Sequence, residues 1–279
     1  MGKGVLQYYC GNCNNILKEV VSDLNLSNSI EPCPNCGTLL SETLQKRPLI
    51  QKQSIRPTIF QKASGLSRLT LDIPKLDSIL SFLTLNQKVC IAGPYSQKLI
   101  ERLCVRAQLP HRYGGLSSDV LLIDGANTSD LYQCIAFAQQ YQLDVKKVLE
   151  KIITSRTFTV YQLTDLILYD LQQVIEKYKV KVLVITDLLH FFTDDPYFDN
   201  FEIRLLLEQI VDAISKIKNC LVIISLSRPT EYDSLFANLF DKTITISKRY
   251  HQLQIKIKDE NKTNSVTLKK TELENIPKH

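Results

Sequence analysis

The chain has 279 residues, 44% of them hydrophobic and 23% charged, with a formal net charge of +5. This composition supports a globular core with a small satellite, and the 9 Gly and 10 Pro follow no short period, which excludes collagen-like and low-complexity classes. No apolar run reaches the roughly 18 residues needed to cross a bilayer, and Met1–Gln7 lacks a signal-peptide core, so a cytoplasmic protein is expected.

Cys10, Cys13, Cys33 and Cys36 form two C-x-x-C pairs with residues 14–32 between them. In a reducing compartment this spacing suits one tetrahedral zinc held by four thiolates, with no open position and hence a structural role. Gly37 follows the second pair and Asn14 the first, where a metal knuckle needs residues tolerant of positive φ. Residues 1–45 therefore read as a zinc ribbon, too short to fold without its metal. Residues 46–69 read as a basic linker: Lys46, Arg47, Lys52, Arg56, Lys62 and Arg68 are joined by no acidic residue, and Pro48 and Pro57 interrupt the segment.

From residue 70 to 279, apolar strands alternate with helical stretches. Strands are expected over residues 88–92, 119–124, 151–157, 180–186 and 220–225, and helices over 97–107, 130–141, 161–177 and 201–217. Continuous apolar strands separated by helices imply an α/β fold with a mostly parallel sheet covered on both faces. The segments 243–247 and 252–258 switch to period two, as antiparallel edge strands with one wet face do. Cys90, Cys104, Cys134 and Cys220 sit singly in apolar strings and read as small buried hydrophobes.

The first core strand leads into Gly93-Pro94-Tyr95-Ser96-Gln97-Lys98-Leu99. A phosphate-binding loop belongs at such a strand-to-helix turn and needs G-x4-G-K-[ST]: glycines for close approach, a lysine on the phosphates and a hydroxyl on magnesium. Gly93 and Lys98 remain, but the loop is one residue short, its second glycine is gone and Leu99 replaces the hydroxyl. The strand Val180–Thr186 ends at Asp187, where a metal-facing carboxylate would stand at the carboxyl edge of the sheet.

In this order of segments, residues 70–260 resemble the RecA-like domain of archaeal RadA-type recombinases, their paralogues and the related KaiC-type ATPases. The likeness is carried by Leu71–Leu80, the degenerate loop, Gln108-Leu109-Pro110 with Gly114-Gly115, Leu121–Asp124, the stretch Ser155–Leu163 and the strand ending at Asp187. The resemblance implies an ATP site at Gly93, Lys98 and Asp187. It also implies a catalytic glutamate after the second strand, where this chain reads Gly125-Ala126-Asn127, so a pseudo-ATPase is expected. The family's DNA-binding loops map to residues 190–200, here acidic through Asp194, Asp195 and Asp199, and to a short loop around Arg228. DNA contact is therefore expected from Lys46, Arg47, Lys52 and Arg56 with Arg228, and from the basic tail at Lys248, Arg249, Lys256, Lys258, Lys262, Lys269 and Lys270. Phe60-Gln61-Lys62-Ala63 matches the F-x-x-A tetrapeptide by which recombinase protomers dock, making Phe60 and Ala63 candidate interface residues.

The leading expectation is thus a non-catalytic RecA-fold accessory protein in DNA recombination or repair, with a RadA-type recombinase or paralogue as partner, DNA as a further ligand, and zinc as its structural metal. The alternatives are an active KaiC-like ATPase in signalling and a zinc-ribbon assembly module of transcription or translation. Metal analysis of the purified protein should find one zinc per chain. Cys33→Ser should abolish that stoichiometry and unfold the ribbon.

Overall fold

The computed structural model describes residues 68–194, 199–259 and 262–275, together with the backbone of three strands nearer the N-terminus. The chain divides into two compact units, Met1–Arg56 and Pro57–His279. In the first, β1 (Leu6–Cys10), β2 (Ile16–Val20) and β3 (Leu44–Pro48) form an antiparallel sheet in the order β2-β1-β3. Lys46 and Arg47, in the segment expected as linker, are strand residues opposite Tyr8 and Gln7. The side chain of Cys10 and the whole of Cys13, Cys33, Cys36, Lys52, Arg56, Phe60 and Ala63 lie outside the described residues.

The second unit opens with β4 (Arg68–Leu69), α1 (Pro74–Leu80), β5 (Leu83–Thr84), β6 (Lys88–Ala92) and α2 (Ser96–Arg106). It continues through β7 (Val120–Asp124), α3 (Leu131–Gln140), α4 (Val145–Glu150), β8 (Ile152–Arg156) and α5 (Val160–Asp165). A π-helical turn, Leu166–Asp170, joins α5 to α6 (Leu171–Tyr178); then come β9 (Val182–Thr186), α7 (His190–Asp194), α8 (Asn200–Ser215) and β10 (Leu221–Leu226). The end is a meander of β11 (Lys242–Arg249), β12 (Gln252–Asp259) and β13 (Lys262–Lys269), followed by α9 (Lys270–Glu274).

Local chemistry sets the helix starts. Asp130 caps α3 by accepting from Tyr132 N, Asp144 caps α4 from Lys147 N, and Thr159 caps α5 from Gln162 N. Each satisfies a backbone donor that the first turn leaves unpaired.

The large sheet has the order β13-β12-β11-β6-β10-β9-β7-β8. Every pairing from β11 to β8 is parallel, and β12 and β13 add in antiparallel fashion. The alternating segments therefore differ from the edge strands expected of them. β11 is interior and parallel to β6, and the edge strand on that side of the sheet is β13. Alternation reports one wet face, which an interior strand also has where no helix covers it.

Side chains from the two faces of the sheet fall into two cores. Val89, Ile91, Leu122, Val184, Ile223 and Ile244 pack with α1 to α4, while Cys90, Ile123, Ile185 and Ile224 pack with α5, α6 and α8. All four cysteines of this unit are buried and free, and burial pushes the thiols of Cys90, Cys134 and Cys220 up to about 12. Among the described residues no helix is long and apolar enough to cross a membrane.

Two arginine side chains penetrate this interior. Arg102, 0% exposed, donates to the carbonyls of Leu71 (2.7 Å), Asp72 (2.7 Å), Asn275 (3.1 Å) and Leu273 (3.3 Å). Arg106, one turn later, donates to Thr70 O (2.7 Å), Thr70 Oγ1 (2.6 Å) and Tyr113 O (2.7 Å). Arg102→Met should leave these carbonyls buried without donors and cost about 3 kcal/mol or more, read as a fall in the urea midpoint. Arg102→Lys should recover little of it, because an ammonium cannot span the positions that a guanidinium fork reaches.

Candidate nucleotide site

The loop between β6 and α2 lies where an open α/β sheet binds its ligands, at the carboxyl ends of the strands. Gly93 has φ +96°, and a Cβ there would collide with the Ile246 carbonyl of β11. Its glycine is thus required by protein backbone rather than by the approach of a ligand. Gly93 N donates to Leu226 O (3.0 Å) and Ser96 N to Gly93 O (3.3 Å), so the loop spends these amides on itself and on β10. Tyr95, at φ 69°, then starts the helix directly.

Lys98 forms an ion pair with Glu274 of α9 at 3.1 Å, and Lys270 reaches the same carboxylate at 3.4 Å. Leu99, in the position of the missing hydroxyl, is 0% exposed and belongs to the core. Asp187 has φ 44°, receives Ser227 N on Oδ1 (2.8 Å) and donates its own N–H to Ser225 Oγ (2.9 Å), tying the end of β9 to that of β10. The cavity beside it, lined by Asp187, His190, Arg228 and Thr230 among others, measures about 10 Å³, room for one water rather than a phosphate chain.

The turn after β7 is equally committed. Buried Asp124 accepts from Thr128 N (3.1 Å), Ser129 N (3.1 Å) and Thr186 Oγ1 (3.0 Å), closing the Gly125–Thr128 turn on its own carboxylate. Asn127 donates through its side chain to Thr157 O (2.8 Å). The donor set therefore fits a magnesium nucleotide poorly: the Gly93 and Ser96 amides, the lysine and both strand-end carboxylates are engaged in protein contacts. Gly93, Lys98 and Asp187 do share the carboxyl edge, on β6, α2 and β9, with β10 between β6 and β9. Arg228 Nη2 donates to Thr193 Oγ1 (3.2 Å), linking the segments after β10 and β9. Among the described residues no group of three or more potential metal ligands converges.

One titratable group here was not singled out by its sequence. Glu101, 4% exposed, accepts on Oε1 from Gln97 Nε2 (3.2 Å) and Asp130 N (3.2 Å), while its Oε2 and Gln97 Oε1 are both buried without a partner. Burial pushes its pKa up to about 7 against the lowering effect of those hydrogen bonds. A protonated Oε2 would turn one of these two unsatisfied oxygens into a donor, which the ionised carboxylate cannot be. The available signal was that α2 has apolar residues at 99, 100, 103, 104 and 105, leaving no wet side for Glu101, Arg102 or Arg106.

Residues 93–224 match the Rad51 family model, a RecA-like recombinase domain. Over these residues the core is similar to RecA-like recombinase domains. The match starts at the degenerate loop and ends within β10, so the β11–β13 meander lies outside it.

Glu101 has a sign-definite effect on stability. Its pKa is raised in the folded state, so folding favours the protonated form, and stability falls as pH rises from about 4.5 to about 7. Glu101→Gln, which supplies an amide donor at every pH, should flatten that part of the pH–stability curve. It should gain about 1–2 kcal/mol at pH 7.5 in urea unfolding.

Proposed function

We propose that this protein is a non-catalytic accessory factor of DNA recombination and repair, built on a RecA-like core whose ATP-hydrolysing machinery is lost. The observation that carries this reading is the Lys98–Glu274 ion pair beside the buried Leu99. The lysine that would hold phosphates is held by the chain's own C-terminal helix, and no hydroxyl follows it to ligate magnesium. Phosphoryl transfer depends almost wholly on positioning and electrostatic stabilisation. Losing the metal ligand and the glutamate, replaced by Gly125-Ala126-Asn127, removes both.

On this reading the function is docking. Phe60 and Ala63 engage a RadA-type recombinase or paralogue, the four cysteine thiolates hold the structural zinc, and Lys46, Arg47, Lys52 and Arg56, with a smaller share from Arg228, meet DNA phosphates. What supports the recombinase partner is the Rad51 family match over residues 93–224.

Purified protein should hydrolyse ATP with magnesium no faster than a no-enzyme blank, with or without DNA. Robust turnover that disappears in Asp187→Ala would establish instead an active ATPase with an unorthodox loop.

A further inference from the structure

The two faces of the β11–β13 meander differ sharply. The inner face carries Ile244, Ile246, Leu253, Ile255, Ile257 and Leu268, all buried. The pairing register brings the alternate residues into four rows of three on the outer face, among them Thr245–Lys256–Ser265 and Arg249–Gln252–Lys269. Four of these positions are cationic, namely Arg249, Lys256, Lys258 and Lys269, and the other eight are Thr, Ser or Gln. No acidic and no apolar residue shares the face.

Such a face covers about 27 Å along the strands and about 10 Å across them. Lysines on an outer strand guard a sheet edge against aggregation. That does not account for Lys256 and Lys258, which stand on the middle strand of the meander about 7 Å apart. Like charges so placed repel one another, and none of the four enters an ion pair among the described residues, Glu272 beside Lys269 being the one acidic group that acts on any of them. An anionic ligand would relieve that repulsion.

The hairpin tip adds a second feature. Thr245 pairs with Ala92 at the end of β6, and β11 runs on to Arg249, so the tip projects about 13 Å past the carboxyl end of β6. Tyr250 at this tip has φ 54° and is 94% exposed, with no ring or hydrogen-bond partner among the described residues. A bare aromatic ring beside a cationic polar track is the combination that binds unpaired bases and their phosphates. The absence of apolar side chains on the face argues against insertion into a lipid surface.

We propose that the outer face of the β11–β13 meander is a binding track for single-stranded nucleic acid. Arg249, Lys256, Lys258 and Lys269 contact its phosphates, and Tyr250 stacks on a base. The choice of ligand rests on the DNA-docking function proposed above; of the seven basic tail residues expected to meet DNA, the register places these four on one face, and the site is additional to residues 46–56 and Arg228.

The test is fluorescence anisotropy of the full chain with a fluorescein-labelled oligo(dT) of about 30 nucleotides across a salt series. Arg249→Gln/Lys256→Gln/Lys258→Gln/Lys269→Gln should weaken binding at least tenfold and lower the log–log salt slope by about 3, roughly 0.7 for each lost contact. Tyr250→Ala should weaken binding about fivefold or more with the slope unchanged, because stacking releases no counterions. Lys146→Gln/Lys147→Gln/Lys177→Gln/Lys179→Gln, which removes the same charge from exposed helical positions, should bind as the unaltered protein does, and thermal melts should confirm that all variants fold. If the meander variant binds normally while Lys46→Gln/Arg47→Gln/Lys52→Gln/Arg56→Gln does not, this track is wrong and the DNA-docking function stands. If the unaltered protein ignores the oligonucleotide, both fall, and sedimentation with phosphatidylserine vesicles in that case would reassign the face to an anionic lipid surface.

Discussion

The structure depends on two arginines one helical turn apart. Arg102 and Arg106 stand on one side of α2 and are almost fully buried. A buried guanidinium is tolerable only when its donors are met, because the charge has left water. Here they are met by main-chain carbonyls at Thr70, Leu71 and Asp72 before the sheet, at Tyr113 after α2, and at Leu273 and Asn275 near the C-terminus. Asp77 holds the same entry segment from its other side, accepting from Leu71 N (2.8 Å) and Ile73 N (3.0 Å). Helix α2 thereby fastens two segments that are some 200 residues apart in the chain to one point of the core.

That fastening explains the state of the candidate nucleotide site. With Leu273 and Asn275 held on Arg102, Glu274 between them is delivered to Lys98. With α2 fixed, the shortened loop before it closes on Leu226 and Ile246. The polar groups that a nucleotide would use are spent on internal cohesion, and the outward-facing chemistry passes to surfaces that the core does not consume. The meander is the clearest case. Its inner face belongs to the buried core, and among the described residues its outer face contributes nothing to either core.

Much of the core was legible along the chain. Strands β7, β9 and β10 are buried throughout and read as apolar runs of four residues at their starts, since strands covered on both faces have no wet side to show. The helical stretch 161–177 was legible as helix but not as α5, a π-helical turn and α6, because a slipped hydrogen-bond register leaves no mark in hydrophobic spacing. Strand β13 was not legible. Only Val266 and Leu268 of Lys262–Lys269 are apolar, and what makes it a strand is the neighbouring β12. Asp187 was legible as a strand-end carboxylate, but its commitment to Ser225 and Ser227 was not.

The paired cysteine spacing, the alternation of strands and helices, and the losses at Leu99 and Gly125–Asn127 are readable along the chain, because each depends on residue identity at short range. Long-range packing is what brings Lys98 to Glu274, buries Glu101 with Gln97 donating to it, and places cations from three strands on one face. The Lys98 contact and the meander rows were fixed by packing between distant segments. The Glu101 pair lies one turn apart on α2, yet its protonation follows from burial. Periodicity gives the side of an element on which a residue lies, but the partner and the dielectric it meets there are set by what the rest of the chain brings to that side.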